Sequence, residues 1–277
     1  MASFVLTHFV NCVLEANNIT IINADAAQVV DTLPEVDAFY IDPARRGESN
    51  KRVFALQDCE PNLPGLLPAL LKRSPRVIAK LSPMADIQMT LELLTGTTSV
   101  HVLSVRNECK ELLFVVEREA DGREPLVRCI NFGLDGIQSF SFTLEEERSA
   151  VLVPAGQVGT YLYEPNASVL KAGAFKQIAV RTGVKKLQVN SHLYTADHLV
   201  SDFPGRRFRV DEVLSFTGKL CKGLSKTIPQ ANITVRNFPL SVEELRKRTK
   251  ITDGGHVYLF ATTLVDGEKV LVKCSKA

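Results

Sequence analysis

The chain has 277 residues, which is enough for two or three domains of ordinary size. Apolar residues make up 45% and charged residues 23% of it, a composition that excludes broad disorder. No apolar run reaches the roughly 18 residues of a membrane-spanning helix, and the start of the chain lacks the basic segment of a signal sequence. We therefore expect a cytoplasmic protein with no membrane partner.

Cysteine and histidine usage argues against structural cross-links. The six cysteines and five histidines are dispersed, with no CxxC pair and no histidine nearby at ligand spacing. This pattern favours reduced, mostly buried thiols over a disulfide framework, and it predicts no metal site.

The net charge of +2 is unevenly distributed. Residues 205–277 contain 14 Lys and Arg against 7 Asp and Glu, a charge of +7, whereas residues 1–204 carry a charge of −5. A basic module joined to an acidic one suggests a polyanionic partner. The alternative, a solvated charged face, remains open from composition alone.

Helices and strands alternate in the first part of the chain. The predicted elements are a helix near residues 4–14, a strand at 19–23, a helix at 25–33, a strand at 36–41, a helix at 61–72, a strand at 76–81 and a helix at 82–94. Two further strands, at 100–105 and 111–117, are joined too tightly for a helical crossover, so we expect an antiparallel hairpin at the sheet edge. The alternation predicts an α/β domain around a parallel sheet.

The composition changes near 119–125, which we interpret as a linker, and again near 202–205. Predicted strands at 127–132, 139–143 and 159–163 lie between these boundaries, followed by a helix from residue 164. The last segment is predicted as strand 207–214, helix 216–226, strand 231–237, helix 242–248 and a hairpin turning at Asp266-Gly267. The predicted fold is therefore α/β: a partial Rossmann-like sheet in 1–118, followed by two small α+β domains, 119–204 and 205–277.

Two aspartates follow predicted parallel strands directly. Asp25 and Asp42 both lie at the carboxyl ends of such strands, where open α/β sheets bind ligands. Asp25 could instead be only a helix N-cap, a role that does not exclude ligand contact. Asp42-Pro43 could be only a tight turn. A turn alone does not require the unbroken apolar strand before it or the two arginines after it, so we favour a functional role.

The order of these motifs, Asn23-Ala-Asp-Ala and then Asp42-Pro-Ala-Arg, resembles that of class I S-adenosylmethionine-dependent methyltransferases. The resemblance implies that Asp25 and Ala26 contact the adenine of S-adenosylmethionine. It also implies that Asp42, Pro43 and Arg45 lie beside the methyl group and its target.

A closer resemblance, to the Bacteroidetes-type methyltransferase-like proteins, covers nearly the whole chain. The segments that carry it are Tyr40-Ile-Asp-Pro-Ala-Arg-Arg-Gly, Lys80-Leu-Ser-Pro-Met-Ala-Asp, Tyr163-Glu-Pro-Asn-Ala, Asp202-Phe-Pro-Gly-Arg and Val235-Arg-Asn-Phe-Pro-Leu-Ser. It implies a truncated methyltransferase-like domain (1–118), a ferredoxin-like middle domain (119–204) and a THUMP-like RNA-binding domain (205–277).

The sequence departs from the methyltransferase pattern at the cofactor loop. The first glycine is Gly47, so the glycine-rich turn that normally precedes Asp25 is missing, together with the acid that binds the ribose. We expect this chain alone to bind S-adenosylmethionine weakly, unless another polypeptide supplies that half. Loss of the central strand should also expose a sheet edge and promote self-association.

A second departure concerns the reaction. The pyrimidine-C5 RNA methyltransferases need a cysteine after the next strand, where this chain has Lys80-Leu-Ser-Pro, and covalent C5 chemistry is therefore disfavoured. Arg45 occupies the place of the aromatic residue that is usual for exocyclic amines. If methyl transfer occurs, we expect Asp42 to accept a hydrogen bond or a proton from a target nitrogen, and Arg45 or Arg46 to position phosphate.

The C-terminal module carries the basic residues that we expect to bind RNA. Its candidate contacts are Arg206, Arg207 and Arg209 on a strand and Lys219, Lys222 and Lys226 on one helix face. The resemblance to THUMP domains implies RNA binding. The predicted function is S-adenosylmethionine-dependent methylation of structured RNA, either tRNA or rRNA. The alternative is a non-catalytic RNA-binding protein with a degenerate Rossmann scaffold.

Overall fold

The computed structural model describes residues 24–45 and 59–277, together with Ile22 and Leu56. The helix predicted near residues 4–14, Arg46 and most of the strand predicted at 19–23 lie outside the described residues, so those predictions are not tested. Among the helices that the structure describes, none has the length and apolar character needed to cross a bilayer.

Residues up to 143 form three helices and eight strands in the described part of the chain. In order these are α1 (Ala26–Val29), β1 (Phe39–Ile41), β2 (Ala44–Arg45), β3 (Cys59–Glu60), α2 (Leu63–Arg73), β4 (Arg76–Leu81), α3 (Ile87–Leu93), β5 (Thr97–Val105), β6 (Glu108–Glu117), β7 (Leu126–Gly133) and β8 (Gly136–Thr143).

The remaining residues add five helices and seven strands. These are α4 (Leu144–Ser149), β9 (Tyr161–Pro165), α5 (Ala167–Ala172), α6 (Gln177–Thr182), β10 (Lys185–Lys186), β11 (Tyr194–Ala196), β12 (Gly205–Ser215), α7 (Gly218–Thr227), β13 (Asn232–Arg236), α8 (Val242–Thr249), β14 (Tyr258–Thr263) and β15 (Lys269–Lys276).

The first sheet has six strands in the order β1-β4-β6-β5-β7-β8. Strand β1 runs parallel to β4, and β5 and β6 form the predicted antiparallel hairpin. The predicted position of that hairpin at the sheet edge was wrong. Strand β7 pairs in parallel with the outer edge of β5, from Ser99 opposite Leu126 to Val105 opposite Phe132, and β8 pairs with β7 beyond it. The additional pairing satisfies the backbone groups that an edge strand would leave unpaired.

One face of this sheet forms the main core. Helix α2 contributes Leu63, Leu66, Leu67 and Leu70, which cluster with sheet residues such as Val77, Val102 and Phe114. Helix α5 also packs against this sheet, at β5, β6 and β7. The opposite face carries exposed apolar side chains, including Tyr40 (60% exposed) and Ile137 (68% exposed).

The second sheet has seven strands in the order β10-β11-β9-β12-β15-β14-β13. Strand β12 lies at its centre and pairs antiparallel with both β9 and β15. Its backbone hydrogen bonding is therefore continuous across the composition change near residue 204. The sheet joins part of the predicted middle domain to the predicted C-terminal domain.

This second sheet separates two smaller cores. Phe208, Phe260 and Val272 cluster with Leu162 on one side. On the other side, Leu224 of α7 and Leu245 of α8 pack with the alternate residues Leu259, Ala261 and Leu271. The alternation follows from the two-residue period of strand side chains, and it places both helices on the same face.

Polar side chains connect the two sheets. Asn166, the N-cap of α5, donates from Nδ2 to Gln138 Oε1 on β8 (3.0 Å), and Gln138 Nε2 donates to the Gly205 carbonyl (3.1 Å). Asn107, in the β5–β6 turn, accepts from the Ala167 N–H (2.8 Å). A Cβ atom on Gly205 would lie 2.1 Å from the Glu164 carbonyl oxygen, so the chain crossing here requires glycine.

Candidate functional site

Asp42 and Lys80 meet at the carboxyl ends of two parallel strands. Strands β1 and β4 pair in register up to Ile41 opposite Ala79, so the next residue of each strand lies beside the other. Lys80 Nζ donates to Asp42 Oδ2 at 2.5 Å. This hydrogen bond is the main cause of a raised pKa for the Lys80 ammonium. The strand ends therefore place a fixed ion pair at the predicted ligand-binding edge.

The pair remains open to solvent. The Asp42 side chain is 54% exposed and that of Lys80 is 30% exposed. Within the described residues, Oδ1 of Asp42 makes no hydrogen bond, so it can accept one from a ligand. Glu111 and Tyr40 also contribute to the raised pKa of Lys80. In the sequence, Lys80 stands only at the position of a nucleophile; its pairing with Asp42 follows from the register of β1 and β4, which no local pattern indicates.

Asp25 is the N-cap of α1, as its structural interpretation predicted. One of its carboxylate oxygens, Oδ1, accepts from the Ala27 N–H at 2.8 Å. Both Asp25 and Ala26 are exposed. Ala26 is the first residue of the helix, whose N–H has no partner within the helix. Asp25 and Ala26 thus present a carboxylate oxygen and a backbone donor to solvent.

The turn after Asp42 is anchored by a short ladder. Pro43 leads into β2, where Ala44 pairs with Glu60 and Arg45 pairs with Cys59 of β3. Pro43 is partly buried. The Arg45 side chain lies outside the described residues, so its predicted contact with phosphate is not tested.

The loop that follows β4 is held by the middle part of the chain. Lys171 of α5 donates from Nζ to the carbonyl of Ala85 at 2.9 Å. Ala85 is buried, whereas the neighbouring Met84 is 71% exposed. This loop borders the Asp42–Lys80 pair along the chain, so α5 supports the site from outside the first sheet.

The three candidate arginines of β12 do not form one surface. Arg206 lies on the same side as Phe208, with its guanidinium 5.5 Å from that ring centroid, while Arg207 and Arg209 point to the other side. Arg207 donates to the Ser201 carbonyl. Arg209 is exposed. Because side chains alternate along a strand, the three arginines that were predicted to act together lie on two faces of the sheet.

The lysines of α7 do share a surface. Lys219, Lys222 and Lys226 are all exposed, and the opposite side of the helix buries Cys221 and Leu224. Helix α8 packs beside α7 and adds further basic side chains nearby. We call the side formed by the three lysines the α7 surface.

A buried carboxylate joins three separate segments. Glu164 is 2% exposed, and its Oε2 accepts from Arg206 Nε at 2.8 Å. Its Oε1 accepts from Arg236 Nη2 at 2.9 Å and from Arg236 Nε at 3.2 Å. Arg236 was not among the predicted site residues. Its partner is 72 positions away in sequence, which no local pattern indicates.

Comparison with known proteins identifies the two C-terminal units. Residues 161–204 match a ferredoxin-like domain model, and residues 205–276 match a THUMP domain-like model. No match was found among curated proteins. The ferredoxin-like match begins after β7 and β8, both of which belong to the first sheet. The division at residues 118 and 119 therefore stays a prediction.

One solved structure resembles most of the chain. A protein from Porphyromonas gingivalis W83, described as a "putative methyltransferase", is 45% identical, with a TM-score of 0.82. The match covers 87% of this chain and 60% of that protein. These findings confirm the α/β fold class and the predicted resemblance. The chain is similar to a protein described as a methyltransferase, and its residues 161–276 match ferredoxin-like and THUMP domain-like models.

Proposed function

We propose that this chain positions structured RNA, either tRNA or rRNA, for S-adenosylmethionine-dependent methylation. The observation that carries the proposal is the Asp42–Lys80 pair at the carboxyl ends of β1 and β4. Ligands of open α/β sheets bind at this edge, and the pair leaves one carboxylate oxygen exposed there. The similarity to a methyltransferase and the THUMP-like match support the same function.

The described residues fit one end of the cofactor. The exposed Asp25 carboxylate and the Ala26 N–H offer an acceptor and a donor that suit an adenine edge. S-adenosylmethionine, when bound, supplies an electrophilic methyl group. Since the chain spans 60% of the related protein, we propose that the remaining contacts to the cofactor come from polypeptide beyond the described residues.

Asp42 orients the target in this proposal. Lys80 holds Oδ2 and so restricts rotation of the carboxylate, which leaves Oδ1 to accept a hydrogen bond from an amine of the target base and to take up the proton that this amine loses on methylation. Pro43 fixes the backbone just after Asp42, because its ring locks φ. Arg45 would contact a neighbouring phosphate.

Methyl transfer from labelled S-adenosylmethionine to tRNA and rRNA fractions tests this role. Asp42→Asn should reduce incorporation by about 100-fold or more, since the amide cannot accept a proton. Asp37→Asn is the matched control, because Asp37 is an exposed aspartate just before β1. Equal loss in both variants, or full activity in Asp42→Asn, would contradict the role of Asp42.

The second candidate is RNA binding without catalysis. It is favoured by the α7 surface and the THUMP-like match over residues 205–276, neither of which depends on the Asp42–Lys80 pair. Calorimetric titration of the chain with S-adenosylmethionine should show no saturation at micromolar concentrations. RNA binding together with an absence of methyl transfer would select this candidate over the first.

RNA binding by the α7 surface can be measured separately. Lys219→Ala with Lys222→Ala should weaken binding to many RNAs alike. For single strands, the slope of log affinity against log salt should flatten by about 0.7 for each phosphate that the protein no longer neutralises. Lys269→Ala with Lys276→Ala is the control, since both lysines are exposed on β15. Equal effects of the two double substitutions would mean that the α7 surface is an ordinary solvated face with no specific role in RNA binding.

A further inference from the structure

Three segments that carry the family resemblance converge on Glu164. The Tyr163-Glu-Pro-Asn-Ala segment supplies the carboxylate, Asp202-Phe-Pro-Gly-Arg supplies Arg206, and Val235-Arg-Asn-Phe-Pro-Leu-Ser supplies Arg236. The Asp42 site uses none of these residues. Glu164, Arg206 and Arg236 therefore form a second cluster, apart from the Asp42 site.

The arrangement of the two arginines is that of a prepared anion site. Each guanidinium uses Nε and Nη2 on the carboxylate, so both present the same edge to Glu164. In the described part of the chain, neither Nη1 makes a hydrogen bond. The side chains remain 42% exposed for Arg206 and 38% exposed for Arg236, although Glu164 itself is buried. Two guanidinium groups are thus held by the two oxygens of one carboxylate, and both side chains reach solvent.

The surroundings add positive charge to this place. Lys186 is buried beside the ring of His192, with 3.2 Å between Nζ and Nδ1. Burial, Lys186 and Arg236 together lower the pKa of His192 to about 4, so the imidazole stays neutral at physiological pH. Two guanidinium groups therefore face the single carboxylate of Glu164, whereas Lys186, whose pKa burial lowers to about 8, is balanced in part by Glu147.

The sheet explains why the two arginines come together. Strands β9 and β12 are neighbours, and Arg206 lies opposite Glu164 in their register. Strand β13 is at the far edge of the same sheet, yet Arg236 at its end reaches Glu164. The next residue, Asn237, donates from Nδ2 to Gln188 Oε1 in the β10–β11 loop at 3.0 Å. The curled sheet thus brings its two ends together at this point, which we call the seam.

We propose that Arg206 and Arg236 form a phosphate-binding fork at the seam, held in place by Glu164, that contacts the RNA backbone. The inference rests on the proposed RNA-binding function and adds a binding site separate from the α7 surface. Guanidinium groups bind phosphate oxygens through paired N–H donors, and a fork that is already oriented loses little side-chain entropy on binding. Its ligand is a phosphodiester of RNA.

Chemical protection of the intact wild-type chain gives a test that does not depend on a variant folding. Phenylglyoxal modifies accessible arginines, and mass spectrometry locates the adducts. A structured RNA hairpin should protect Arg206 and Arg236 and leave the exposed Arg123 reactive. Unchanged modification of both fork arginines under saturating RNA would overturn the proposal. Equal protection by inorganic phosphate alone would assign the fork to small phosphates and would also overturn it.

Substitutions measure the contribution of the fork. Arg206→Gln with Arg236→Gln should weaken binding of the same RNA by about tenfold, because the guanidinium contacts to phosphate are lost. The slope of log affinity against log salt should flatten by about 0.7, since Glu164 already balances one of the two arginine charges. Arg246→Gln is the matched control, since Arg246 is an ion-paired arginine of the same domain that bonds Asp253. Thermal unfolding of each variant checks that it folds.

The outcomes separate this inference from the proposed function. If the wild-type chain binds no RNA, the proposed function fails and the fork fails with it. If the α7 lysine variants lose affinity while the fork variants bind like the Arg246→Gln control, RNA binding stands and the fork alone is refuted.

Discussion

The two sheets of this protein differ in how their edge strands are covered. The seven-stranded sheet curls until its ends are linked by the Glu164–Arg236 and Asn237–Gln188 contacts. The six-stranded sheet begins at β1, which pairs on one side only within the described residues, and it carries exposed apolar side chains such as Tyr40. Side-chain contacts link the ends of the seven-stranded sheet, although β10 and β13 do not pair with each other, whereas the edge at β1 has no such contacts among the described residues and can accept a partner. The open sheet carries the Asp42–Lys80 pair, and the closed one carries the basic surfaces.

The tightest point of the closed sheet gives the largest expected effect. Gly205→Ala places a methyl group against the Glu164 carbonyl and should lower the free energy of unfolding by about 3 kcal/mol or prevent folding. Gly218→Ala is the control, because a Cβ there meets nothing and alanine favours the helix by up to about 1 kcal/mol. Chemical denaturation measures both, and equal stabilities would show that the crossing is not tight.

Opening the seam should cost less. Glu164→Ala leaves two partly exposed arginines without their buried partner, and we expect a loss of about 2 kcal/mol. Asp253→Ala removes an 84% exposed partner of Arg246, and should cost less than about 1 kcal/mol. Denaturant midpoints compare the two variants. A loss after Glu164→Ala no larger than after Asp253→Ala would mean that the seam does not close the sheet.

The seam should also respond to acid through His192. Its pKa is lowered to about 4 from 6.5, first by burial and then by Lys186 and Arg236. Between these values the unfolded chain binds a proton that the folded chain excludes, so stability falls as the pH drops from 6.5 towards 4. NMR titration should find the low pKa, and His192→Gln should remove this part of the pH dependence.

The NMR titration of His192 can also test the position of Arg236, through the variant Arg236→Gln. It removes one of the two positive charges that lower the pKa of His192, so that pKa should rise. Arg246→Gln, on α8, should leave it unchanged. A His192 pKa that is the same in both variants would place Arg236 away from the seam in solution.

The open sheet offers the smallest effect on stability. Tyr40→Lys adds a charge on the exposed face of β1, where we expect a change in unfolding free energy within about 0.5 kcal/mol. Because charged side chains discourage edge-to-edge pairing, it should raise the monomer fraction in light scattering. Lys72→Ala, at an exposed position of α2, is the control. A wild-type chain that is already monomeric would contradict the predicted self-association.

Elements with local signals could be predicted from the sequence. Strand β4 has its predicted bounds, Arg76–Leu81, because its apolar residues lie between two Ser-Pro turn signals, Ser74-Pro75 and Ser82-Pro83. Helix α3 was predicted from Ser82, but it begins at Ile87, since the Asp86 side chain accepts from the Met89 N–H at 2.9 Å and caps the helix there. Competing caps four residues apart cannot be ranked without the packing of Ala85 and Ile87.

In the candidate sites, too, features with a local pattern were predictable and contacts between distant segments were not. Sequence order placed Asp42 at a strand end, and helical spacing grouped the α7 lysines. Neither indicated that Lys80 would bind Asp42 or that Arg236 would reach Glu164, because both contacts depend on how distant strands align in the sheet. The three arginines of β12 were grouped by proximity in sequence, and the two-residue period of the strand separated them.

The pairing of β5 with β7 has a consequence for handling this protein. The segment 118–125 connects β6 to β7, and its exposed part, residues 118–123, resembles a protease-sensitive site, but seven residue pairs of the β5–β7 ladder bridge it. A chain nicked there would stay in one piece in a native gel and separate only in denaturant. Expressing residues 1–118 alone would remove two strands from a continuous sheet, and we expect such a fragment to be recovered mainly from inclusion bodies.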